Sequence, residues 1–232
     1  VRISLVGHGP SLLQNNNGKD IDAADIVVRL KRSKQGLLDN PAAFGKRCDI
    51  ACGSLIIGAD LLKHWWVDKP WLEGESPVLW FLDDSRTAGK PLPRWFEVIK
   101  TDFPDKIICD RELCAGLVDT YRGYRQPYAP AESQERKVRQ GQALSDDCGH
   151  LHPSAGLFAI AYALALQPDS IELFGFDNLL SGTHTWSVTR GPDWTEYPDH
   201  NWLAESKTLA RLIVDAGKVL RHDEPGRATI EN

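Results

Sequence analysis

The chain has 232 residues, 42% of them hydrophobic and 25% charged, with a formal net charge of −5. That length suits one α/β domain with a substantial core, and an acidic balance without a sustained basic stripe argues against a dedicated nucleic-acid binder. No apolar run approaches the ~20 residues of a membrane-spanning helix and the first residues carry no signal-peptide pattern, so a soluble chain is expected. Cys48, Cys52, Cys109, Cys114 and Cys148 are odd in number and scattered, which suits reduced thiols better than a disulfide framework. No methionine occurs, so Val1 is not expected to be the translational start.

The first stretch, Arg2 to Lys31, reads as strand, tight loop, strand. Ile3, Leu5 and Val6 form a short apolar run suited to a buried parallel strand, and Gly7-His8-Gly9-Pro10-Ser11 breaks it. Two glycines let the backbone turn sharply and approach a ligand, and amides freed in such a loop favour an anion. Ile26-Val27-Val28 then resumes the strand pattern and ends in Arg29. Residues 31 to 47 are polar and punctuated by Gly and Pro, which predicts loop with a turn of helix.

Strands are expected over Cys48–Ile57, Pro77–Leu82 and Lys106–Cys109, with helices over Leu61–Trp71 and Arg111–Arg122; Trp95–Lys100 fits either class. From Tyr124 to Asp147 the chain is polar and aperiodic, as expected of a mobile lid. Leu157 to Leu166 is Ala-rich and apolar nearly all round, predicting a buried helix. Ser154 would lie at its N-terminus, where free amides can hold an anion. Ser170–Phe174 reads as a strand closing on Gly175-Phe176-Asp177, and Leu203, Leu209, Leu212 and Ile213 mark an amphipathic C-terminal helix.

Two histidines stand out because their side chain titrates near neutrality and can take a proton from a hydroxyl. His184 follows a strand end, and His200 sits just ahead of the C-terminal helix, whose N-terminus favours a neutral imidazole.

Val6-Gly7-His8-Gly9-Pro10-Ser11-Leu12, then Gly18, then Ile21-Asp22-x-x-Asp25-Ile26-Val27-Val28-Arg29 resembles the large motif of the sialyltransferase superfamily, V-G-N-G-P-S-L … G … I-D … D-x-V-x-R-x-N. The segment from Pro153-Ser154-Ala155-Gly156 through the apolar helix to Gly175-Phe176 is similar to the small motif. His184-Thr185-Trp186 resembles the third motif, H-Y-[WY], and His200-x-x-x-x-Glu205 the very small motif, H-x-x-x-x-E. The four follow in family order across nearly the whole chain.

The resemblance implies a single domain over residues 1–232: a Rossmann-like nucleotide-binding α/β fold with a mostly parallel sheet, the GT-A-like sialyltransferase variant, and a lid over 124–147. It implies an inverting, metal-independent glycosyltransferase that moves a 2-keto sugar acid from a CMP-sugar donor to a glycan or glycolipid hydroxyl. His200 would be the general base and His184 would support the leaving phosphate. Gly7, His8, Gly9, Pro10, Ser11, Arg29, Lys31, Ser154, Ala155, Gly156 and Phe176 would bind the donor. No cofactor or metal is expected, and Asp83-Asp84 is not the D-x-D of metal-dependent glycosyltransferases.

Three positions depart from the pattern: His8 and Lys31 replace Asn, and Ala155 replaces Ser or Thr. Lysine brings donors and a charge where Asn offers both a donor and an acceptor, so a Kdo-like donor is as reasonable as a sialic acid. Acceptor recognition is expected from the lid and from Trp186, Trp194 and Trp202. A bacterial cytoplasmic enzyme of lipopolysaccharide or capsule synthesis fits these features, with a peripheral position at the inner membrane face left open. The alternative is a CMP-binding module of the same fold without transferase activity. An unrelated Rossmann-type oxidoreductase or methyltransferase ranks lower, because no acidic residue follows a complete G-x-G-x-x-G at the ribose-reading distance.

Overall fold

The computed structural model describes residues 1–30, 40–55, 78–82, 107–108, 111–124, 153–181 and 202–232. The expected helix at Leu61–Trp71, the ambiguous segment Trp95–Lys100 and the lid beyond Tyr124 lie outside them, as do Lys31, His184 and His200.

The first stretch contains the two expected strands, β1 (Arg2–Val6) and β2 (Ile26–Leu30), but the connection is more than a loop. Two single-turn helices, α1 (Ser11–Gln14) and α2 (Gly18–Asp22), occupy it. Each is too short to show a period and is held by one buried anchor, Leu12 and Ile21 respectively. The turn expected before Arg47 is α3 (Pro41–Phe44), started by Asn40, whose side chain accepts from the Ala43 amide at 3.3 Å, and by Pro41 at the first helical position.

β3 (Ile50–Leu55), β4 (Val78–Leu82) and β5 (Ile107–Ile108) fall within the three expected strands. Helix α4 (Arg111–Tyr124) follows, and then α5 (Ala155–Ala165), β6 (Ser170–Phe174) and α6 (Asp177–Ser181). The C-terminal part is α7 (Trp202–Asp215) and a hairpin of β7 (Val219–Glu224) and β8 (Arg227–Glu231).

The described strands form one sheet in the order β5-β4-β3-β2-β1-β6-β8-β7. Strands β5 through β6 in that order are parallel, and β8 pairs antiparallel with both β6 and β7, so the sheet is mixed. The outer strand β7 carries exposed Arg221 and Asp223, charged side chains of the kind that discourage edge-to-edge pairing.

The period of two along the strands divides the interior. Ile3 and Leu5, Val28, Ile171 and Leu173, Ala228 and Ile230 face a large core with α4, α5 and α7. Val6, Val27 and Phe174 face a smaller one with Leu12, Ile21, Ala43 and Phe44 from α1, α2 and α3. Helices thus lie on both faces of an α/β sheet. Helix α5 explains its composition: Leu157, Phe158, Ile160 and Ala163 are all fully or nearly buried, each large side chain contributing roughly 1.5–3 kcal/mol. Among the described residues no helix is long and apolar enough to cross a membrane.

Candidate functional site

Strands β1 and β6 are parallel neighbours, with Val6 opposite Phe174 in register at their carboxyl ends. From there the chain leaves toward opposite faces: after β1 it enters α1, whose Leu12 joins the small core, and after β6 it enters α6, whose Leu179 joins the large one. Adjacent parallel strands whose connections diverge in this way define the switch point of an open α/β sheet, where ligands settle beyond the carboxyl ends.

The turn after β1 contains Gly7, His8, Gly9, Pro10 and Ser11. The Gly7 amide donates to the Phe174 carbonyl at 2.7 Å and the Gly9 amide to the Gly175 carbonyl at 2.8 Å. The Ser11 amide and hydroxyl both donate to the Asp177 carboxylate, at 3.2 and 2.8 Å. A Cβ on Gly9 would overlap that carboxylate, and Gly175, at φ +70°, sits in the left-handed region. Pro10 and Ser11 are buried and His8 is half-buried. The turn expected to cradle an anion is therefore stitched to the turn after β6, and Phe176 ties it to the hairpin by donating its amide to the Gly226 carbonyl at 3.1 Å.

The N-terminus of α5 reaches the same end of the sheet. A Cβ on Gly156 would lie 3.1 Å from the Phe176 ring and 3.5 Å from Leu30, the last residue of β2. The Ala155 carbonyl accepts from the Cys52 thiol of β3 at 3.6 Å, and burial pushes the pKa of that thiol up. Ser154 is the N-cap: extended backbone, with its hydroxyl accepting from the Leu157 amide at 3.2 Å. Ala155 and Gly156, at the first two helical positions, have no intrahelical acceptor for their amides. Glu205 of α7, with 0% exposure, accepts from the Ser154 amide at 3.0 Å and from its hydroxyl at 2.5 Å. Burial pushes the Glu205 carboxyl up to about 8 against the lowering effect of both Ser154 hydrogen bonds.

Arg29, another expected donor ligand, points to the small-core face and is completely buried. Its Nε donates to the Arg47 carbonyl and its Nη2 to the Phe44 carbonyl, each at 2.5 Å, with Asp22 3.8 Å away. Burial brings its pKa down to about 10, opposed by Cys48, Asp22 and Asp49. Arg29 thus holds the β2–β3 connection to the underside of the sheet.

Of the expected site residues, Gly7 through Ser11, Ser154, Ala155, Gly156 and Phe176 come together at the carboxyl ends of β1 and β6 and the N-terminus of α5. Two further residues belong with them. Asp177 was visible only as the residue after Gly175-Phe176, and Glu205 only as the last position of H-x-x-x-x-E. Their roles depend on partners 166 and 51 residues distant in sequence. No protein-family model matches the chain, and no curated protein matches it.

Proposed function

We propose that the protein is a transferase that moves a 2-keto sugar acid from a CMP-linked donor to a glycan hydroxyl, with inversion at the anomeric carbon. The observation that carries this reading is the convergence of two motifs that are far apart in sequence, Gly7–Ser11 and Ser154–Gly156 with Phe176, at the switch point of a mixed α/β sheet. The amides of Ala155 and Gly156 at the start of an eleven-residue helix suit the donor phosphate. His8, half-buried in the first turn, offers a polar edge to the nucleotide.

In this reading His200 takes the acceptor proton as the new glycosidic bond forms, CMP departs as the anion, and His184 donates to its phosphate. The Ala155 and Gly156 amides take the donor phosphate, while the amides of Gly7, Gly9 and Ser11 serve the scaffold by donating within the protein.

A thermal-shift panel of CMP, CDP, UMP, UDP, AMP and NAD, with and without EDTA, tests the nucleotide. A ligand at about a hundred times its dissociation constant adds roughly 2.7 kcal/mol, a rise of about 5–10 °C for a chain of this size. Stabilisation by cytidine nucleotides alone, unchanged by EDTA, is the expected result; a response shared with NAD overturns the reading. Turnover of CMP-sialic acid or CMP-Kdo that disappears in His200→Ala then separates a transferase from a module that only binds CMP.

A further inference from the structure

The contact between Glu205 and Ser154 has the form of a capping box divided between two helices. In the usual box the N-cap hydroxyl accepts from the amide of the third helical residue, and a Glu or Gln at that third position returns its side chain to the N-cap amide. In α5 the first half is present, Ser154 Oγ to the Leu157 amide. The third position, however, is Leu157 itself, fully buried in the large core and without a polar atom to return. The second half comes from α7, where Glu205 Oε1 accepts from the Ser154 amide and Oε2 from its hydroxyl.

A carboxyl group is an expensive choice for a position with no exposure, and apolar residues around it already join the two helices: Ala204, Leu209 and Ile213 of α7 share the core with Leu157 and Ile160 of α5. Apolar packing alone tolerates small axial slips between helices, whereas two hydrogen bonds to one residue set the register of both ends. We propose that Glu205 is a positioning residue: by completing the cap of α5 from α7, it fixes the Ala155 and Gly156 amides at the switch-point crevice, where, on the functional reading above, they meet the donor phosphate. The same contact fixes the first turn of α7, which begins two residues after His200 in the sequence.

The test uses the full chain and compares the wild type with Glu205→Gln, which keeps one acceptor and one donor in nearly the same places, and Glu205→Ala, which removes both. Two quantities are read: amide hydrogen exchange at Ser154 relative to the middle of α5, and CMP affinity by calorimetry. Positioning predicts that Glu205→Gln stays within about threefold of the wild type in both, while Glu205→Ala speeds Ser154 exchange and weakens CMP binding by about tenfold or more each, the scale of one buried donor left without its partner.

A Glu205→Ala protein that binds CMP as tightly as the wild type, whatever its melting temperature, overturns the proposal, because a residue that only stabilises the fold would leave affinity intact. Failure of Glu205→Gln to rescue also overturns it. Should Glu205→Ala not fold, Ser154→Ala, which removes the hydroxyl's bonds to Glu205 and Leu157 but leaves the backbone amide its partner, is judged on CMP affinity alone, with the same tenfold threshold. Should the wild type bind no CMP, the functional reading fails separately, and unchanged Ser154 exchange in Glu205→Ala overturns the divided cap itself.

Discussion

Two turns at the carboxyl end of the sheet carry the same promise in sequence and differ in what the fold does with them. Gly7–Ser11 and Ser154–Gly156 are both short, small-residue segments expected to present amides to an anion. In the first, the amides of Gly7, Gly9 and Ser11 all donate within the protein, to Phe174, Gly175 and Asp177. In the second, Glu205 engages the cap, and the two amides behind it have no acceptor in their own helix. Local composition makes a tight turn; whether its donors serve the ligand or the scaffold depends on which acceptors the rest of the chain delivers. One turn joins the scaffold, and on the proposed function the other is the surface the donor meets.

The strongest way to break that contrast is Gly9→Ala. Its Cβ would overlap the Asp177 carboxylate and crowd the Gly175 carbonyl, so the two turns must separate. Overpacking together with loss of the Ser11–Asp177 hydrogen bonds should cost about 3–5 kcal/mol. Urea denaturation checks this; a loss below ~1 kcal/mol would mean that the turns are not tightly joined.

Acidity probes the other turn. Glu205 titrates at about 8 when folded against a reference of 4.5. Between those values the folded chain holds a proton that the unfolded chain has released, so stability must fall as pH rises through this window. Below it both states are protonated and above it both are ionised, and the slope vanishes. The total change should reach a few kcal/mol, and Glu205→Gln should remove it. Denaturation midpoints from pH 4.5 to 8.5 measure the slope, and an identical slope in wild type and Glu205→Gln would refute the assignment.

How far sequence reaches is clear from these same elements. Strands β1, β2 and β6 and helix α5 were legible because their apolar runs are long enough, or buried enough, to leave no alternative pattern. Helices α1 and α2 were not, since one turn anchored by Leu12 or Ile21 has no period. The β7–β8 hairpin also escaped: Val219–Glu224 is an edge strand with charged, exposed residues, and its pairing with β8, not its composition, makes it a strand. At the site, residue types at the two turns could be read from local spacing. Asp177 as clasp, Glu205 as distant cap and Arg29 as a support for the Phe44 and Arg47 carbonyls could not, because each role is defined by a partner brought near only by folding.

Removing the Ser154 hydroxyl is a milder change. Ser154→Ala deletes the acceptor for Leu157 and the donor to Glu205 while the backbone amide keeps its carboxyl partner, for a loss of about 1–2 kcal/mol. Because it disturbs the turn assigned to the ligand, it should also weaken CMP binding. Equal CMP affinity in wild type and variant would place the nucleotide elsewhere.

The smallest expected effect is the sharpest comparison. Asp177→Asn keeps one oxygen to accept from Ser11 and exchanges the other for an amide nitrogen, so the clasp loses charge and one acceptor but retains its shape. Ser11 Oγ can turn to accept from that nitrogen, and about 1 kcal/mol of stability should go. If the first turn serves the scaffold, CMP affinity in this variant must stay at the wild-type value even as the melting temperature drops. Were affinity to fall in step with stability, the turns would have to be treated as one ligand-binding unit, and the division of labour between them would be lost. Pairing Asp177→Asn with Ser154→Ala in a single calorimetric series makes the distinction directly, since two variants of similar modest instability are expected to differ in what they do to the nucleotide.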